Sequence, residues 1–66
     1  MSYALDNLRE QRDLAGHSIS SLAHLANVSD VTIKTLEDGG AVDEALCQRI
    51  ADVLGVSLAT LGGREL

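Results

Sequence analysis

The stretch that decides the fold is Ser18 to Gly39, which reads SISSLAHLANVSDVTIKTLEDG. Ser18 and Ser29 each stand just before a short run with helical apolar spacing: Ile19, Leu22, Ala23 and Leu25 after the first, Ile33 and Leu36 after the second. A serine hydroxyl accepts from a free N–H of a first helical turn, so each serine marks a helix start. Asn27 tolerates the left-handed conformation that closes a helix, and Gly39-Gly40 closes the second run. Only Ala26, Asn27 and Val28 separate the two runs. Helices this short do not persist alone, and two of them joined by so tight a turn predict a helix-turn-helix over about residues 18–38.

Working outward, Leu5 and Leu8 recur at helical spacing after Ser2, and the segment continues through Arg12 to Ala15 before Gly16. This predicts a first helix capped by Ser2. Downstream, Asp43 predicts the cap of a fourth helix, with Val42 and Cys47 at staple spacing and Leu46, Ile50, Val53 and Leu54 on its apolar side. Gly55 closes it, and Ser57 predicts a last stub with Leu58 and Leu61. The tail, residues 62–66, is expected to fray. Eleven leucines, six glycines and no proline suit short helices punctuated by glycine. The expectation is an all-α fold: one domain over residues 1–66, a compact bundle of four to five short helices.

Composition narrows function. Ten acidic residues against five basic ones give a formal charge of −5, which argues against a binder that works through bulk positive charge. Tyr3 is the sole aromatic residue, which disfavours the stacking platforms of single-strand binders and RNA-recognition sheets. Cys47 stands alone, which rules out an internal disulfide and a cysteine zinc site, and it reads as a small buried hydrophobe. His17 and His24 lack partners at ligand spacing, so no metal or other cofactor is expected. Ser20 and Ser21 have no orienting acid motif and no glycine-rich oxyanion turn, so no enzyme is expected. No apolar run is long enough for a membrane span and no signal-peptide pattern opens the chain, so the expected location is the cytoplasm, without membrane association. In 66 residues there is no room for a second, ligand-sensing domain, and no small-molecule ligand is expected.

Arg12, Gly16, Ser18, Leu22-Ala23, Val28-Ser29, Thr32-Ile33, Glu37 and Gly39 fall in one order and spacing, followed by Ile50-Ala51, Leu54 to Leu58 and Leu61. In these residues the chain resembles the lambda-repressor-like, Cro-type (XRE) helix-turn-helix family, from Leu8 to Leu61. The resemblance implies a third helix lying in the major groove of double-stranded DNA and a second helix across the backbone. On the matching positions it implies that Asp30, Val31, Lys34 and Thr35 face base edges and that Ser18, Ser20, Ser29 and Thr32 lie near phosphates. It also implies an internal ion pair between Arg12 and Glu37. The expected function is a bacterial or phage-type repressor that binds a palindromic operator as a homodimer, with the leucine-rich C-terminal stubs available for a twofold contact.

The chain departs from that pattern where it meets DNA. Ile19 stands where the family carries a glutamine that touches phosphate and braces the first reader. Asp30 and Asp38 place carboxylates on the reading helix, and Gly39-Gly40-Ala41-Val42 has neither the cations nor the proline common in that loop. Only Lys34 and Arg9 remain as exposed cations near the expected face, which implies a shallow salt dependence. A second reading therefore stays open: the same fold used as an acidic module that binds a basic protein partner and modulates another regulator.

Overall fold

The computed structural model describes residues 1–66. In chain order it contains β1 (Ser2–Leu5), α1 (Leu8–Leu14), α2 (Ile19–Ala26), α3 (Asp30–Glu37), β2 (Ala41–Asp43), α4 (Glu44–Leu54) and β3 (Gly63–Glu65). The architecture is mixed, and the expectation of an all-α bundle is overturned by a three-stranded antiparallel sheet in the order β2-β1-β3. In register, Tyr3 faces Val42 on one side and Glu65 on the other, while Ala4 faces Ala41 and Arg64.

The strand replaces what periodicity assigned to the start of a first helix capped by Ser2. Four residues are too few to separate a period of 2 from one of 3.6, and pairing distant in sequence decides the matter. The carbonyl of Met1 accepts from the Glu44 N–H, and the carbonyl of Ser2 accepts from the Leu66 N–H, each at 2.8 Å. Residues 62–66, expected to fray, are thereby tied into the sheet. The segment after Ser57 forms a turn rather than a fifth helix: Ser57 Oγ accepts from the Thr60 N–H at 3.1 Å, and the chain then bends into β3.

The helix-turn-helix follows the sequence closely. Ser18 Oγ accepts from the Ser21 N–H at 3.0 Å, and Ser29 Oγ accepts from the Thr32 N–H at 3.2 Å. Asn27 adopts the left-handed conformation, at φ 58°, ψ 46°. Asp43 caps α4 by accepting from the Ala45 N–H at 3.1 Å. One core of Leu5, Leu8, Leu22, Ala23, Ala26, Ile33, Leu36, Cys47, Ile50, Ala51 and Leu61 joins the helices to the sheet. Leu25, expected to face inward, is 54% exposed, and Ala26 takes the inward position on the last turn of α2. Leu61 is fully buried in this core and so is spent on closing the domain rather than available for a twofold contact. No helix is long and apolar enough to cross a membrane.

Candidate nucleic-acid interface

Helix α3 buries one stripe and bares another. Ile33 and Leu36 are in the core, whereas Asp30, Val31 and Lys34 are exposed, Val31 at 68%. Thr35 differs from the other three expected readers. It is half-buried, and a Cβ placed on Gly40 would come within 2.8 Å of Thr35 Cγ2, so the Thr35 methyl packs against the glycine that leads into β2.

The residues expected near phosphates are engaged in local bonds. Ser18 and Ser29 are caps, and the Thr32 hydroxyl lies 3.0 Å from that of Ser29. Ser20 Oγ donates to Asp30 Oδ2 at 2.8 Å, linking the first turn of α2 to the first turn of α3. Sequence reasoning missed this bond, although both residues stand at the head of consecutive short helices, where a hydroxyl and a carboxylate come within reach.

Arg12 and Glu37 are brought together. Arg12 Nε donates to Glu37 Oε2 at 2.6 Å and Nη2 to Oε1 at 3.1 Å, while Nη1 donates to the His17 carbonyl at 2.9 Å. Both side chains are nearly buried, and the bonds to Glu37 push the Arg12 guanidinium still further towards its protonated form, ahead of the opposing effect of burial. This clamp holds α1, the loop after it and the end of α3 in one frame.

The remaining cations divide sharply. Arg64 donates to both oxygens of Asp6, at 2.7 and 3.2 Å, and Arg49 reaches the Asn27 carbonyl at 3.4 Å. Arg9 comes no nearer than 3.9 Å to Glu37, and Lys34 makes no ion pair. These two line the one cavity of the structure, an open cleft of about 250 Å³ between α1, α2 and α3 whose other walls are Ile19, Glu37 and Asp38. Elsewhere, burial raises the Cys47 thiol above its ordinary range, so it stays a protonated core group.

Comparison with curated proteins and comparison with solved structures return no match. A family model described as helix-turn-helix matches residues 8–61, which runs from α1 through both capped helices and α4 to the buried Leu61. The match covers most of the chain, and with it the chain belongs to the XRE, lambda-repressor-like helix-turn-helix family of DNA-binding regulators.

Proposed function

We propose that the protein represses transcription by binding a specific palindromic DNA site as a homodimer, in the cytoplasm, without cofactor or small-molecule ligand. The observation that carries this reading is the bare face of α3. Asp30, Val31 and Lys34 project from a helix that Ile33 and Leu36 anchor, and Arg12 fixes its far end through Glu37. Asp30 accepts from a cytosine amino group, Val31 packs on a thymine methyl, and Thr35, half-covered, contributes at the margin. In this reading Ser18, Ser20, Ser29 and Thr32 lie along the backbone side, and a cap serine such as Ser18, whose oxygen accepts from the helix, keeps its hydroxyl proton to donate to a phosphate. In a dimer the two copies of α3 enter successive major grooves about 34–36 Å apart.

Exposed Asp30 and Asp38, with the net charge of −5, favour one other reading, an acidic module for a basic protein partner. Selection of the folded protein against a randomised duplex library, at low and moderate salt, separates the two. A recovered palindrome with turn-length spacing supports the repressor. Recovery of no motif at low salt, from protein that melts cooperatively, rejects it in favour of the partner module.

A further inference from the structure

We propose that the cleft between α1, α2 and α3 seats one backbone phosphate of the bound duplex, with Arg9 and Lys34 as its cationic walls. The inference rests on the DNA-binding reading and adds to it a residue of α1, Arg9, while moving Lys34 from the readers to the phosphate contacts.

Five cations are present, and three are held in hydrogen bonds elsewhere. The two left over are found together in the single cleft. Arg9 is free to turn towards a ligand: its side chain is 77% exposed, and both oxygens of Glu37, the one carboxylate within 4 Å of it, are already taken by Arg12. Because Arg12 offsets the charge of Glu37, the carboxylates left to oppose Arg9 and Lys34 are those of Asp38, in the cleft, and Asp30, one turn before Lys34 on α3. The cleft therefore gathers the two cations of an acidic molecule that no closer partner holds, and a phosphodiester seated between them is attracted to both.

Shape and position agree with this. At about 250 Å³ the cleft is smaller than the roughly 300–1,000 Å³ of small-molecule sites, and it is open rather than enclosed. Ile19 is its one apolar wall and brings no competing hydrogen-bond partner. Lys34 stands one helical turn after Asp30 and Val31 on α3, so the cleft flanks the reading face, where a groove's edge brings the sugar-phosphate chain past.

The test is the salt dependence of binding to the duplex recovered by wild type, measured for wild type, Arg9→Ala, Lys34→Ala, the double variant and Lys34→Arg. All four variants change only exposed side chains and leave the core untouched. The slope of log K against log salt is expected to fall by about 0.9 per subunit in the double variant. Each single variant is expected to lose the larger part of that, because one phosphate is shared, and Lys34→Arg keeps it. The preferred sequence stays the same in every variant. Unchanged slopes overturn the proposal, as do single-variant losses of about 0.9 each that simply add, which indicate two separate phosphates. A base preference altered by Lys34→Ala also overturns it, by returning Lys34 to the readers. Inorganic phosphate is titrated separately by NMR, and if it shifts Arg9 and Lys34 and the duplex fails to displace it, the cleft takes a free anion rather than DNA. A wild type that retains no duplex at all defeats this inference and the DNA reading together, whereas duplex binding with unaltered slopes defeats this inference alone.

Discussion

Arg12 of α1 and Glu37, the last residue of α3, are joined by two parallel hydrogen bonds of 2.6 and 3.1 Å. The fork of the guanidinium matches both carboxylate oxygens, and the other opposite charges, exposed Asp13 at 3.3 Å from Arg12 and exposed Arg9 at 3.9 Å from Glu37, lie further off. Arg12→Ala leaves Glu37 as an uncompensated carboxylate with 8% of its side chain exposed, and a stability loss of about 3 kcal/mol is expected in urea unfolding. Replacing both partners with apolar side chains of similar size, Arg12→Met with Glu37→Leu, is expected to recover most of it. DNA affinity of Arg12→Ala, measured where it is still folded, should change less than stability does. Native unfolding combined with lost DNA binding would show instead that the pair acts at the interface.

The second ion pair makes an acid-side prediction. Hydrogen bonds from Arg64 hold the Asp6 carboxyl below its ordinary range, outweighing the opposing effect of desolvation. A pKa lowered in the folded state contributes stability above the unfolded value, and the contribution is lost as pH falls through the folded value. Wild type is therefore expected to melt above Asp6→Asn at neutral pH, with the gap closing as pH drops below the usual carboxylate range. Because both side chains are exposed, the gap is small and shrinks in salt. A gap that is constant from neutral to strongly acidic pH would remove Asp6 from the clasp.

These two pairs mark the boundary of what was legible in the sequence. Arg12 and Glu37 lie within the capped, periodic part of the chain, where serines at 18 and 29 and Asn27 declare each helix end through local chemistry. Asp6 and Arg64 belong to the sheet, and nothing local predicts it. Ser2, Tyr3, Ala4 and Leu5 become a strand only because β2 and β3 arrive on either side, and Ser2, the cap in a helix reading, is instead a ladder residue opposite Asp43. The same divide runs through the site. The exposure of Val31 and Lys34 follows from helical spacing, whereas the burial of Thr35 against Gly40 and the bond from Ser20 to Asp30 depend on how neighbouring elements pack.

Gly62 tests the junction that the sheet requires. It has φ 71°, and a Cβ there would lie 3.1 Å from the Asn7 backbone nitrogen, which donates to the Leu61 carbonyl. Gly16 has a similar φ of 77° but faces open space. Gly16→Ala is expected to cost only the left-handed penalty, about 1 kcal/mol, and Gly62→Ala about 2 kcal/mol or more, since the Asn7 bond must also shift. Equal losses in denaturant melts would mean that the β3 junction yields freely.

The bond from Ser20 to Asp30 bears on specificity. An ionised carboxylate only accepts, and with Oδ2 held by Ser20 at 2.8 Å the remaining oxygen, Oδ1, is presented in a fixed direction at the head of α3. In a major groove, that oxygen finds a favourable partner in the cytosine amino group and repulsion from the acceptors of guanine and thymine. The duplex selected by wild type should therefore carry cytosine at one fixed position of each half-site. Asp30→Asn is expected to move that preference towards adenine, because an amide both donates and accepts. Ser20→Ala should keep cytosine as the preferred base but erode the discrimination, part of the roughly 1–3 kcal/mol that a good base contact supplies, because the carboxylate is then free to rotate. Asp30→Ala should lose the preference at that position alone while binding unrelated duplexes several-fold more tightly, since a charge facing the phosphates is gone. An Asp30→Ala selection that returns the wild-type base at that position would show that the carboxylate reads nothing and that Ser20 merely ties two helices together.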